Sequence, residues 1–188
     1  MELRPAIQIQ SMLKSMTDVV LPAVDPHNKL AQEQSRLVIG MLSLLAARLP
    51  LSYRYERDEL ARFLALADTL EAQARTLPGA VDALQGLSAV VETGRDVLAR
   101  AGAEPGELEA ANFALREKVG ALISLAYTAT DSSERKQLCA AVSAHARTQL
   151  LRERAWLITQ GWEAEPGAVP AIEALLDGDA DGAMKRNV

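Results

Sequence analysis

The chain has 188 residues, 49% of them hydrophobic but only 4% aromatic, and a formal charge of -5. That length suits one domain or a domain with an appendage and can bury a core without staples. Acidic and basic residues are interspersed, so no basic stripe exists to displace counterions from nucleic acid, and no nucleic-acid partner is expected.

With Ala and Leu abundant and β-branched and aromatic residues thinly spread, helices are favoured over sheets. The first helix is expected from about Pro5 to Val20, where Ile9, Leu13, Met16 and Val20 repeat at helical spacing and Met12 and Val19 widen the stripe. Leu21-Pro22-Ala23-Val24-Asp25-Pro26 breaks it, because proline lacks a donor and disfavours helical geometry in the residue before it. Asp25 followed by Pro26 reads as the start of a second helix, with His27 in its first turn and an end near Leu49-Pro50. Its apolar residues, Leu30, Leu37, Val38, Ile39, Met41, Leu42, Leu44, Leu45 and Leu49, cover more than one face in the C-terminal half, which predicts a central position.

Leu51 to Arg57 reads as a connection carrying two tyrosines and two arginines. A third helix follows from about Glu56 to Leu77, with Leu60, Phe63, Leu64, Ala67, Leu70, Ala74 and Leu77 on one side. Pro78-Gly79 precedes a fourth, to about Ala101, with Val81, Leu84, Leu87, Val91 and Leu98 inward. In it, Gly86 and Gly94 either weaken the helix or permit close approach. A fifth runs to about Thr128 with Leu108, Ala111, Leu115, Val119, Leu122 and Ala126 inward. Asp131-Ser132-Ser133-Glu134 resembles a capping box opening a sixth, which reaches about Gln160, long enough to project in part beyond its neighbours. Pro170 to Leu176 has the makings of a short helix. The expectation is an all-α bundle of about six helices over residues 1–162, followed by a short helix and a flexible, partly disordered acidic tail over 163–188.

Few residues offer chemistry. His27 lacks the neighbouring acid or second ligand that a catalyst or metal site needs, and no Glu-x-x-His or His-Glu-x-x-His string supplies one. His145 shares a face with Leu138, Val142 and Gln149 and is read as a core-edge residue; Cys139 is read as a small buried hydrophobe. Asp177, Asp179, Asp181 and Gly182 match the opening of a calcium loop, but the twelfth position holds Val188 instead of glutamate, which favours a solvated tail. Paired carboxylates such as Asp58 with Glu59, or Glu107 with Glu109, have spacings that do not bring them together on a helix and are read as solubilising. No phosphate-binding or nucleophile-elbow string occurs. No catalytic residue, metal or cofactor is therefore expected.

The single Cys139 excludes an intrachain disulfide and suits a reducing compartment. The first residues lack a secretory pattern, and the apolar stretch from Leu37 to Ala47 is short of the roughly 18 to 20 residues that span a bilayer. A cytoplasmic protein with no membrane association is expected.

Val20-Leu21-Pro22-Ala23-Val24-Asp25, then Lys29-Leu30-Ala31, Arg36, the apolar run to Arg48-Leu49, and Arg57 to Leu64 occur in an order that resembles a family of small bacterial all-helical proteins. Members accompany kinases of the aminoglycoside-phosphotransferase-like fold in acyl-CoA catabolic operons, and one is similar to the accessory subunit of the levulinate-pathway hydroxyacyl-CoA kinase. Leu98 to Leu122 carries a fainter likeness, without the lysine and terminal Asn-Pro of that helix in the family. The resemblance implies a non-catalytic accessory subunit with a phosphotransferase-like kinase as partner. Docking candidates are Asp25, His27 and Lys29 at the Pro22 to Lys29 corner, and Tyr53, Arg54, Tyr55 and Arg57, since Tyr and Arg commonly anchor interfaces. Trp156 and Trp162, around Arg152 and Arg154, raise the same question. Two alternatives remain: a bundle that binds a small apolar or acyl ligand in its core with His145 as the polar contact, and a homodimer that buries the wide apolar face of the second helix.

Overall fold

The computed structural model describes residues 4–75, 77, 79–128 and 133–177. The elements are α1 (Pro5–Ser15), a π-helical turn (Met16–Val20), α2 (Leu21–Ala23), α3 (Lys29–Arg48), a 3-10 turn (Leu49–Leu51), α4 (Ser52–Ala74), α5 (Val81–Ala99), α6 (Pro105–Thr128), α7 (Ser133–Leu157), two further 3-10 turns (Ile158–Gln160 and Pro166–Ala168) and α8 (Ile172–Asp177). Among the described residues there is no strand. The protein is all-α: the described residues form six long helical segments, counting α1 through α2 as one, and a short seventh. The capping-box residues Asp131 and Ser132, and Asp179, Asp181 and Gly182 of the acidic tail, lie outside the described residues.

The chain forms two compact units. One comprises residues up to Ser52 together with those from Leu151 onward; the other is Tyr53–Leu150. Helix α7 contributes to both, and α8 belongs with α1 and α3.

In the Tyr53–Leu150 unit the core is aliphatic. Leu60, Phe63, Leu64, Ala67, Leu70 and Ala74 of α4 are buried with Leu87, Val91 and Val97 of α5 and with every α6 position expected to face inward, Leu108 to Ala126. Val81 does not join them and is 66% exposed. Ala80, at the cap of α5, occupies the inward position instead, in register with Leu87 and Val91, and this turns Val81 outward. Gly94 is where α4, α5 and α6 converge: a Cβ there would lie 3.2 Å from Leu64 Cδ2 and 3.5 Å from both Leu60 and Leu115. Gly86 meets only the Lys118 stem, at 3.8 Å. Close approach is thus the reason for Gly94 alone. Glu107 has a structural use as well. Its carboxylate accepts from the Glu104 N–H at the start of α6 (2.8 Å) and from Arg100 (2.8 Å), and these contacts, Arg100 first, hold its carboxyl below the ordinary range.

In the other unit α1 packs along α3. Pro22 does not end the first helical run. The π turn over Met16–Val20, in which the Leu21 N–H reaches back to the Met16 carbonyl, widens the helix just before the proline, and α2 continues beyond it. A helix interior otherwise suffers a clash between the proline ring and the carbonyl four residues earlier. Helix α3 begins at Lys29 with Asn28 as its cap, the Asn28 side chain accepting from the Ala31 N–H at 3.1 Å. Asp25 closes the preceding turn instead: its carboxylate accepts from the His27 N–H (2.9 Å) and its carbonyl from the Asn28 N–H (3.0 Å). His27 therefore sits in the turn before the helix. Asp-Pro at the first two positions of a turn explains the shift, since proline presets the turn's backbone and aspartate satisfies its amides.

The far end of α7 is pinned to α3. Arg48, 8% exposed, donates to the carbonyls of Trp156 (2.8 Å) and Ala155 (3.0 Å), and its guanidinium lies 5.5 Å from the centre of the Trp156 ring. It thereby satisfies carbonyls that a helix end leaves open. Gly161, at φ 72°, caps the 3-10 turn after α7, and Gln160 donates to the Gly40 carbonyl at 3.1 Å. This end of the last long helix packs and does not project. Val169, Ile172 and Leu176 are buried.

Helix α3 is not central. Arg48 is its one buried residue, whereas Leu30, Leu37, Val38, Met41 and Leu45 are 43 to 68% exposed. By length and composition the helical run Lys29–Ala74 could cross a membrane, with a mean hydropathy of 1.3 over its most apolar 18 residues and 6% of them buried. Counting only the apolar stretch from Leu37 to Ala47 missed this because the apolar character resumes past Arg48 to Leu51.

Candidate functional site

Tyr53, Arg54, Tyr55 and Arg57 lie in the first turns of α4 and not in a connection. Arg57 donates to the carbonyls of Leu98 (2.6 Å) and Arg100 (3.3 Å), so it closes the C-terminal end of α5, and its guanidinium lies 5.9 Å from the centre of the Tyr53 ring. The Tyr55 hydroxyl accepts from Gln149 at 3.4 Å. Arg54 is half-buried, and Tyr53 alone of the four is exposed. Most of this set is used to hold its own unit together.

Asp25, His27 and Lys29 are all exposed. The turn that presents them is tied down by its own backbone bonds and by Gln32, which donates to the Val24 carbonyl at 2.8 Å. It is a built corner. Arg154 clasps Glu163 through two bonds of 2.9 and 2.7 Å, Trp162 is 73% exposed, and Arg152 is fully buried.

The sequence reading missed a buried polar layer between α4, α6 and α7. Glu59, read as solubilising, is 3% exposed. Its Oε1 accepts from Arg116 of α6 and, at 2.9 Å, from Gln149 of α7. One turn earlier on α4, Glu56 accepts from Asn112 of α6 through its side chain (2.9 Å) and its carbonyl (3.1 Å). Burial pushes the Glu56 carboxyl above its ordinary value, and the Asn112 bond opposes that shift. Phe63 completes the layer, with its ring centre 4.7 Å from that of His145 and 5.4 Å from the Arg116 guanidinium. The positions follow helical spacing: 56, 59 and 63 on α4, 112 and 116 on α6, 145 and 149 on α7.

Chemically this layer is a set of mutual partners. A general base needs a substrate proton within hydrogen-bond reach, whereas the near neighbours of Glu59 are protein donors. Such a network fixes how three helices meet, because Glu56 and Glu59 reach their donors on α6 and α7 in one register only. His145 belongs to its edge through Phe63. Among the described residues no group of three or more His, Cys, Asp or Glu is arranged to hold a metal ion.

The other feature is a surface. Leu30, Leu37, Met41 and Leu45 follow one side of α3, with Val38 and Leu49 beside them, and Met12 of α1 adds to it across an open groove of about 410 Å³ lined by Ser11, Met12, Ser15, Met16, Val38 and Leu42. Exposed apolar patches of several hundred Å² mark interaction sites. No family model, curated protein or solved structure matches the chain.

Proposed function

We propose that the chain is a soluble, cytoplasmic, non-catalytic interaction subunit whose partner is a kinase of the aminoglycoside-phosphotransferase-like fold acting in acyl-CoA catabolism. One observation supports the docking role above others: the apolar face of α3 stays uncovered and begins one residue after the tied-down corner that exposes Asp25, His27 and Lys29. Exposed apolar side chains rimmed by oriented polar groups have the composition of an interface. The kinase as partner rests on the likeness of Val20 to Asp25 and the segments after it to the accessory-subunit family. The buried polar layer supports the non-catalytic part, since Arg116 and Gln149 both donate to the Glu59 carboxylate.

Co-expression with a phosphotransferase-like kinase from the same genome, followed by affinity capture and a kinase assay, tests the reading. The expected result is co-purification that weakens when His27 and Lys29 are both replaced by Ala. A kinase that never co-purifies and whose activity ignores this chain overturns it.

A further inference from the structure

We infer that Trp162 is the anchor by which this chain seats in an apolar pocket of its partner kinase, beside the exposed face of α3. The inference rests on the docking role proposed above, and it names the side chain that carries that role and the chemistry that receives it.

The chain has two tryptophans, and the structure uses them differently. The Trp156 ring lies against the Arg48 guanidinium and is half-buried, so it serves the junction of α7 with α3. Trp162 is 73% exposed, more than any other large hydrophobic side chain among the described residues. A lone apolar side chain in water is ordinary. What sets this one apart is that the chain on both sides of it is fixed.

On its N-terminal side Gly161 takes φ 72°, which glycine adopts without strain, and the Gly161 N–H donates to the Ile158 carbonyl at 3.3 Å. Gln160 is tied to the Gly40 carbonyl at 3.1 Å. On its C-terminal side Glu163 accepts two bonds from Arg154, at 2.9 and 2.7 Å, the forked geometry that holds a carboxylate in one orientation. None of these contacts uses the indole. They restrict the residues around it, and a large ring presented with little freedom left to lose binds at low entropic cost.

The position is continuous with the docking face. Gly40 lies on α3 one turn beyond Leu37 and one turn before Leu44, and α3 and the turn carrying Trp162 belong to the same compact unit. The bond from Gln160 thus sets that turn against the flank of the exposed row, two residues from the indole. Tryptophan is among the residues that most often dominate the energy of an interface.

The chemistry of the receiving site follows from the side chain. An indole offers on the order of 150 Å² of largely apolar surface and one N–H donor, so the pocket is apolar with a carbonyl or carboxylate oxygen to accept. The charges beside the ring, Arg154 and Glu163, neutralise each other, so the rim of the pocket needs no net charge.

Surface plasmon resonance between this chain and a phosphotransferase-like kinase from the same genome, with Trp162→Ala and Trp162→Phe as variants, tests the anchor. Trp162→Ala should weaken binding at least about 30-fold, as for the loss of an interface hot spot. Trp162→Phe should weaken it about 3- to 10-fold, as for one lost hydrogen bond with a ring retained. Urea midpoints of both should match wild type, because the contacts that fix the turn are untouched. 5-Fluorotryptophan placed in this chain alone gives a fluorine resonance for each tryptophan, assigned by Trp162→Phe, and unlabelled kinase should shift that of Trp162. Equal binding by wild type and Trp162→Ala overturns the inference and leaves the docking role standing, as does a Trp162 resonance that stays put while the kinase binds. So does a Trp162→Ala chain that unfolds at lower urea, because the ring then serves its own fold. A kinase that binds neither form overturns both readings.

Discussion

Arg116 donates to the carboxylate of Glu59 across α6 and α4, and Glu59 is the more buried partner, with 4% of its side chain exposed against 42% for Arg116. A buried carboxylate that loses its cation keeps the cost of burial without the compensation. Arg116→Met should therefore lower stability by about 2 kcal/mol, less than for a fully buried pair because solvent already screens the guanidinium. Glu59→Gln should cost less, since the amide oxygen still accepts from Gln149. In urea titrations the double variant should fall short of the sum of the two, and strict additivity would show the pair to be uncoupled.

Glu56 gives a pH dependence of definite sign. Burial raises its carboxyl pKa in the folded chain above the ordinary glutamate value, so the folded state binds the proton more tightly than the unfolded one. Its contribution is most favourable below the unfolded value and is lost as pH rises through the higher folded value. Glu56→Gln keeps an acceptor for Asn112 and removes this loss. The variant should gain stability relative to wild type as pH rises above the ordinary glutamate value of about 4.3, and urea midpoints would show a pH-independent difference if Glu56 titrated normally.

Two glycines of α5 should respond oppositely to alanine. At Gly86 a Cβ meets only the flexible Lys118 stem, and the substitution should stabilise by about 0.5 to 1 kcal/mol through helix propensity. At Gly94 the same Cβ presses on Leu64, Leu60 and Leu115, each 5% exposed or less, and overpacking of about 1 to 3 kcal/mol should outweigh the propensity gain. Thermal unfolding of the two variants side by side should place them on opposite sides of wild type.

Arg48 holds the end of α7 through two carbonyls and the Trp156 ring. Arg48→Met fills similar space but leaves both carbonyls without that donor, at a cost of about 2 kcal/mol. Lysine should rescue little, because one ammonium cannot reproduce the fork. Indole fluorescence is the second readout: Trp162 is already exposed, so a red shift in the Arg48 variant should come from Trp156.

Much of this protein follows from local pattern. The inward faces of α4 and α6, the breaks around Pro78 and Gly102, and the all-helical class are written in residues within a few turns of one another, because helical periodicity and capping act at that range. The same local rules misplaced the start of α3, where Asp25-Pro26 and Asn28 each offered a start signal and the competition was settled by the turn that Asp25 closes.

Periodicity shows that a helix has an apolar side and says nothing of what lies against it. Helix α3 is greasier than α4, yet α4 supplies the core and α3 stays bare on one side. Likewise the sequence presents Glu59 as one acid among many, and its burial depends on Arg116 and Gln149, 57 and 90 residues further along. Desolvation and pairing are properties of what surrounds a group in space. Only the packing of α4, α6 and α7 could turn a surface-looking glutamate into a buried polar lock.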